Sequence, residues 1–113
     1  LNRSFIEAIC SYLSIATVIK NSWDYSLTEG QTERLADLCV QAGATEYISG
    51  PAAKNYLTDK VFNDLSIKLT WFDYADYPEY PQLWGDFVHS VTILDTLFNC
   101  GKDTRRYMKY LPA

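Results

Sequence analysis

The sequence predicts an α/β fold in which a small parallel, Rossmann-like sheet of about three to four strands lies between crossover helices, giving three layers. Two observations lead to this prediction. Segments with apolar residues at helical spacing alternate with short runs rich in β-branched residues, and the resulting order is α-β-α-β-α-β-α. The 113 residues contain no internal repeat and no low-complexity linker, so we expect a single α/β domain over residues 1–113.

The first part of the chain alternates helix and strand. Apolar side chains recur every three to four positions in the predicted helices, whereas the predicted strands are short and buried. Gly43 follows the second helix as its C-terminal stop. The predicted elements are, in order, a helix over 2–13, a strand over 15–21, a loop over 22–30, a helix over 31–42 and a strand over 45–48.

The second part begins with a turn at Ser49-Gly50-Pro51, where Pro51 fits the first position of a helix. The run Val91–Phe98 fits a helix or a buried strand, and its helical spacing of apolar residues favours a helix. The first predicted element is a helix that runs to about residue 57 and continues, with a break, to residue 65. It is followed by a strand over 67–72, an irregular Tyr- and Pro-rich segment over 73–83, the helix over 91–98 and a basic helical piece over 102–111.

Composition excludes several classes of protein. The formal net charge of −4 argues against a nucleic-acid-binding surface, which is normally basic. No run of apolar residues is long enough to predict a membrane span, and residues 1–10 do not resemble a signal peptide. Cys10, Cys39 and Cys100 lack the paired spacing of a metal site and are expected to be reduced, buried thiols. These features predict a cytoplasmic protein.

The ends of the predicted strands suggest where a ligand would bind. In parallel sheets, ligands lie beyond the carboxyl ends of the strands. Ser22 follows the first predicted strand, and Ser49 with Gly50 follows the second. Free N–H groups at the following helix start would attract an anion, although an ordinary tight turn is the alternative. Tyr47 and Tyr56 flank this turn and either donate a hydroxyl to a ligand or pack in the core.

Asp95 is the sharpest candidate for catalysis. It interrupts the apolar run Val91–Phe98, and a buried carboxylate is costly unless it is paired or hydrogen-bonded. It fits either a general base or a structural group that caps a turn or pairs with Arg34. Thr92 and Asn99 lie on the same face of the predicted helix as Asp95, which predicts a polar stripe. In this stripe Asp95 and Thr92 are the catalytic candidates, and Asn99 is a predicted ligand contact.

The remaining candidates for ligand binding are Tyr80, Gln82 and Arg34. Gln82 offers a donor and an acceptor that could read a sugar or base edge, while the alternative is a well-packed aromatic loop. The guanidinium of Arg34 can form bidentate hydrogen bonds with a phosphate or a carboxylate of a ligand. The alternative is a surface salt bridge with Glu33 or Asp37.

Two weaker groups of polar residues lie nearby. His89 is the only histidine, and a functional role for it is the less favoured reading. Asp73, Asp76 and Glu79 could suggest a divalent cation, but their spacing matches no known loop and favours a solvated acidic surface. The sequence therefore predicts no metal site.

An ordered series of short motifs carries a family resemblance. The motifs are Thr32-Glu33-Arg34-Leu35 through Gly43-Ala44, Tyr47-Ile48-Ser49-Gly50, Tyr56-Leu57, Tyr80-Pro81-Gln82 with Phe87, and Thr92 through Gly101. In this order they resemble the C-terminal half of the WbqC-like protein family. The domain would then be the C-terminal half of a larger WbqC-like domain, since the Tyr-Leu-Pro-Trp segment typical of the family's N-terminal half has no counterpart in these residues.

The resemblance implies a role in bacterial surface polysaccharide synthesis, including the O-antigen of lipopolysaccharide. It implies either a transferase that places an acyl or aminoacyl group on a nucleotide-linked amino sugar, or a non-catalytic binding or assembly module of a glycan-synthesis complex. It names no cofactor. It leaves open whether activity needs the family's N-terminal half or a homo-oligomer.

Overall fold

The computed structural model describes residues 1–112, and it divides the chain into two compact units. The terminal unit comprises Leu1–Val18 together with the chain from Tyr74 onward, and the central unit comprises Ile19–Asp73. The helices and strands are α1 (Asn2–Tyr12), α2 (Thr32–Gln41), β1 (Glu46–Ser49), α3 (Asp59–Asp64), β2 (Lys68–Trp71) and α4 (Ile93–Cys100), with 3-10 helices at Ser22–Asp24, Pro51–Asn55 and Gly101–Tyr107. One domain over residues 1–113 stays a prediction.

The central unit is built on a two-stranded parallel sheet. β1 and β2 pair in the register that sets Glu46 against Lys68 and Ser49 against Trp71. Parallel strands need a crossover, which is supplied here by the 3-10 helix Pro51–Asn55 and α3. The core of this unit consists of Ala36, Cys39, Ala53, Leu57, Phe62 and Ile67.

Local sequence signals account for where these elements begin and end. Gly43 has φ +69° just after α2, and its N–H donates to the carbonyl of Val40, so it is the predicted helix stop. Pro51 occupies the first turn of its helix, as predicted, although that helix is of the 3-10 type and ends at Asn55. The predicted break before residue 65 is confirmed by the separate α3.

The predicted strand over 15–21 is wrong, and the sheet is smaller than predicted. Residues 15–21 adopt no regular secondary structure, and Val18 is 77% exposed. A β-branched run becomes a strand only when a pleated neighbour covers it, and no other strand pairs with it among residues 1–112. The α/β class is confirmed in its coarse form, as helices with a parallel pair of strands.

The terminal unit holds fewer buried side chains. Leu13 is buried at the end of α1, and its carbonyl accepts a hydrogen bond from the guanidinium of Arg105. Thr104 is fully buried and donates its hydroxyl to the carbonyl of Gly101 at 2.7 Å. The helix predicted over 91–98 is confirmed as α4, and the basic piece after it is the 3-10 helix Gly101–Tyr107.

Candidate functional site

The predicted site residues divide between the two units. Tyr80, Gln82, Thr92, Asp95 and Asn99 belong to the terminal unit, whereas Ser22, Arg34, Tyr47, Ser49, Gly50 and Tyr56 belong to the central unit.

Asp95 is held by two side chains from the irregular segment before α4. The buried Tyr80 donates its hydroxyl to Oδ2 of Asp95 at 2.5 Å, and Gln82 donates Nε2 to the same oxygen at 3.1 Å. Asp95 lies in the first turn of α4, where a negative charge is favoured by the helix dipole. Its other oxygen, Oδ1, makes no hydrogen bond within residues 1–112, and that oxygen is available to a ligand.

The side chain of Gln82 is already engaged within the terminal unit. Its Oε1 accepts from the N–H of Val88 at 2.9 Å, and its Nε2 donates to the carbonyl of Val88 at 3.0 Å. Both ends of the amide therefore hold the loop between residues 82 and 88, and they orient Asp95 at the same time. This geometry favours a positioning role over direct reading of a sugar or base edge.

Of the predicted polar stripe, Asp95 and Asn99 lie on one surface of α4, whereas Thr92 precedes the helix and lies on a different surface. Thr92 is the N-cap of the helix, because its Oγ1 accepts from the N–H of Leu94 at 3.1 Å. Asn99 donates Nδ2 to the carbonyl of Asp95 at 2.8 Å, one helical turn back. Asp95 and Asn99 remain neighbours on one surface, while Thr92 lines a different one.

The first of these surfaces, here termed the Asp95 depression, combines apolar walls with polar groups. Its volume is about 320 Å³, and its apolar residues include Trp84, whose side chain is 85% exposed. The lining residues are Gln82, Leu83, Trp84, Val88, Val91, Asp95 and Asn99. Three predicted site residues thus meet beside an exposed indole ring.

The second surface, here termed the aromatic cavity, has a volume of about 190 Å³ and lies in the same unit. The Tyr80 ring contacts Phe87 edge-to-face at 5.0 Å between centroids and Tyr107 at 5.7 Å. Six rings line it: Tyr74, Tyr77, Tyr80, Phe87, His89 and Tyr107. Thr92 also lines it, and the lining contains no Lys or Arg. Tyr80 lines this cavity and Asp95 lines the depression, so their hydrogen bond links the two surfaces.

In the central unit, Arg34 lies beside an open depression of about 460 Å³ that Tyr56 also lines. Its Nε donates to the carbonyl of Thr28 at 2.9 Å. No ion pair joins Arg34 to Glu33 or Asp37 in the described part of the chain. The guanidinium is exposed, so its terminal nitrogens can reach an anion.

The strand-end turn in the central unit is less suited to an anion than the sequence suggests. Ser49 is buried at the end of β1, and Gly50 precedes a 3-10 helix of five residues rather than a longer α-helix. Tyr47 stacks on Phe62 with ring centroids 5.3 Å apart, which is a packing contact. Ser22 is exposed in its own short 3-10 helix, and its carbonyl accepts from the N–H of Tyr25.

The prediction of buried thiols holds only for Cys39, because Cys10 and Cys100 are half-buried. Burial raises the pKa of the Cys39 thiol. Burial, followed by the charges of Asp103 and Asp95, raises the pKa of the Cys100 thiol. Both shifts lower the thiolate fraction at neutral pH. Among residues 1–112, no group of three or more His, Cys, Asp or Glu side chains is placed to hold a metal ion.

None of the helices in residues 1–112 has both the length and the apolar character needed to span a bilayer.

Comparison with known proteins decides the family. The protein-family model described as "WbqC-like protein family" matches residues 1–107 of the sequence. This chain belongs to the WbqC-like family. It is 57% identical over 110 residues to a protein of Mycobacterium tuberculosis (strain ATCC 25618 / H37Rv) named "Uncharacterized protein Rv1507c". That match covers 97% of this chain and 48% of the relative, so the chain spans about half of the relative's length. No solved structure matches.

Sequence reasoning on this WbqC-like chain did not select the residues that complete the aromatic cavity. Phe87 stands in the family motifs but carries no polar group, and Tyr107 lies in a segment noted only for its basic charge. His89 lines the cavity, with its ring 4.6 Å from that of Phe87 and its Nε2 3.8 Å from a carboxylate oxygen of Glu79. Only the high aromatic fraction of 15% hinted at such a cluster.

Proposed function

We propose that this WbqC-like chain contributes the sugar-binding part of a transferase in bacterial surface polysaccharide synthesis. The reaction is transfer of an acyl or aminoacyl group to a nucleotide-linked amino sugar, in O-antigen synthesis and in the cytoplasm. Family membership is consistent with this role. The observation that carries the proposal is the Asp95 depression, in which a carboxylate and an amide lie beside the exposed ring of Trp84.

The chemistry of the depression suits a sugar. A sugar ring has an apolar C–H face, which an exposed indole can cover, and an edge of hydroxyl donors. The Oδ1 of Asp95 and the side-chain oxygen of Asn99 are acceptors for such donors. The volume of about 320 Å³ falls at the lower end of small-molecule sites, as expected for a single sugar rather than a whole nucleotide-sugar.

Asp95 is the group that we propose as general base. Tyr80 and Gln82 hold Oδ2, so Oδ1 keeps a fixed direction. As the amine nitrogen of the sugar bonds to the acyl carbon of an activated ester, Asp95 takes the amine proton, and the ester C–O bond breaks with its electron pair on the leaving oxygen. Thr92, which lines the aromatic cavity, has a supporting role by fixing the start of α4.

The central unit carries a separate proposed contact for an anion. Arg34 is the proposed partner of a phosphate or carboxylate, and Tyr56 lines the same depression. Ser22, Tyr47, Ser49 and Gly50 stay predicted ligand contacts.

The test is thermal unfolding of the 113-residue chain against a panel of nucleotide-linked sugars. A ligand at ten times its Kd adds about 1.4 kcal/mol to the unfolding free energy, which corresponds to several degrees in Tm. We expect nucleotide-linked amino sugars to raise Tm in the unmodified chain. Trp84→Ala and Asp95→Asn should each abolish the shift.

Phe98→Ala is the matched control, because it removes another exposed ring of the same unit that does not line the depression. Its Tm shift should equal that of the unmodified chain. A folded chain with no shift for any sugar, or an equal loss in Phe98→Ala, would contradict a sugar site at Asp95.

A non-catalytic assembly module is the second candidate function. It is favoured by the large apolar side chains that the terminal unit exposes, since Leu83, Trp84 and Phe98 are 80%, 85% and 86% exposed. Here the depression would hold an aromatic or aliphatic side chain of a partner enzyme. In that case Phe98→Ala and Trp84→Ala should weaken association with a purified enzyme of glycan synthesis equally, and no nucleotide-linked sugar should raise the Tm of the unmodified chain.

A further inference from the structure

We infer that the aromatic cavity is a second binding site, which takes a six-membered ring bearing a protonated amine. This site goes beyond the sugar site at the Asp95 depression, and its test does not depend on that site. The inference combines the size of the cavity, the aromatic character of its walls and the sign of the charges around it.

The size of the cavity fits one ring. Its volume of about 190 Å³ slightly exceeds the roughly 150 Å³ of an engineered protein cavity that binds benzene. A single six-membered ring with one small substituent would fill the aromatic cavity.

The walls favour a cation. Half of the twelve lining residues carry aromatic rings, and ring faces attract an ammonium group through their negative π-face. None of the lining residues is Lys or Arg, so a phosphate or a carboxylate would find no permanent positive partner. The one ring that can become cationic, His89, has the Glu79 carboxylate 3.8 Å away.

The Tyr80–Asp95 hydrogen bond strengthens this preference. The hydroxyl of Tyr80 donates a hydrogen bond to the Asp95 carboxylate at 2.5 Å, and such a bond shifts electron density from the O–H into the phenol ring. A more electron-rich ring attracts a cation more strongly. The Asp95 carboxylate lies at the hydroxyl end of the same ring, and its negative charge also favours a cation nearby.

Three probes of equal ring size test the inference at neutral pH. Cyclohexylamine carries a positive charge because an alkylamine has a pKa near 10.4, cyclohexanol is neutral, and cyclohexanecarboxylate is negative. We expect aromatic side-chain NMR resonances to show cyclohexylammonium binding about tenfold more tightly than cyclohexanol, with no binding of the carboxylate.

Paired substitutions at Tyr107 identify the interaction. Tyr107→Phe keeps the ring and should retain the preference for the cation, whereas Tyr107→Leu removes a ring of the cavity and should reduce it to less than about threefold. If Tyr107→Leu does not fold, Phe87→Leu makes the same test with Phe87→Tyr as its control.

Trp84→Ala separates this inference from the proposed sugar site. Trp84 lines the Asp95 depression and not the aromatic cavity, so its loss should leave cyclohexylammonium binding unchanged. Equal binding of cyclohexanol and cyclohexylammonium, or no binding of either by the folded chain, would overturn the inference whatever the result at the depression.

Discussion

The Tyr47–Phe62 pair of the central unit and the ring cluster of the terminal unit in this WbqC-like chain pack differently. In the central unit, Phe62 is 0% exposed and Tyr47 stacks on it, so rings there fill the core. In the terminal unit, the rings of Tyr80, Phe87 and Tyr107 contact one another around a cavity, and Trp84 stands exposed beside a depression. The pair in the central unit stabilises a core, whereas the cluster in the terminal unit surrounds a cavity that we propose as a binding site. The comparison predicts that removing a core ring of the central unit lowers stability, whereas removing a ring at the cavity or the depression of the terminal unit lowers binding.

The largest expected effect is on the core of the central unit. Phe62→Ala should lower the free energy of unfolding by about 3–5 kcal/mol, because it removes a fully buried ring and leaves a cavity. Phe98→Ala, which removes a ring that is 86% exposed, should change it by less than about 0.5 kcal/mol. Urea denaturation followed by circular dichroism measures both. Similar losses in the two variants would mean that Phe98 is covered in solution and would break the comparison.

A smaller effect is expected at the hydrogen bond between Tyr80 and Asp95 in the terminal unit. Tyr80→Phe removes the hydroxyl that donates to Asp95 but keeps the ring, so it should cost about 1–2 kcal/mol. The half-buried Asp95 keeps its bond from Gln82, which limits the loss. In a double-mutant cycle with Asp95→Asn, the double variant should lose about 1 kcal/mol less than the sum of the losses in the two single variants. Additive effects of the two substitutions would show that the hydrogen bond contributes nothing to stability.

Sequence patterns predicted the elements that stabilise themselves locally. α2 and α4 have apolar spacing, a glycine just beyond the end and, for α4, a threonine N-cap, so their position follows from residues within the segment. The run 15–21 is as β-branched as a strand, but a strand also needs a neighbour, and that information lies elsewhere in the chain. The missing strand explains why the predicted sheet was too large.

The candidate site was predictable only in part, for a similar physical reason. The carboxylate in an apolar run marked Asp95 correctly as a residue that needs partners, and Tyr80 and Gln82 from the motif Tyr80-Pro81-Gln82 are those partners. The pattern could not show that Thr92 faces the aromatic cavity while Asp95 and Asn99 face the depression. Nor could it place Tyr107 against Tyr80, since edge-to-face ring contacts between distant segments leave no periodic trace.

The smallest expected effect concerns pH and again contrasts the units, because Cys39 belongs to the core of the central unit. Burial raises the pKa of its thiol above the ordinary value of 9.0, so the folded chain holds this proton at a pH where the unfolded chain releases it. The resulting stability is fully present below the unfolded pKa and is lost as pH rises through the folded pKa. Between about pH 8 and pH 10, the unfolding free energy of the unmodified chain should therefore fall more steeply than that of Cys39→Ala. Cys10→Ala is the control, because it changes a half-buried thiol of the terminal unit, and it should keep the steeper fall. Parallel curves for the unmodified chain and Cys39→Ala would mean that the thiol of Cys39 ionises as easily in the folded chain as in the unfolded one, and that this part of the core is open to water.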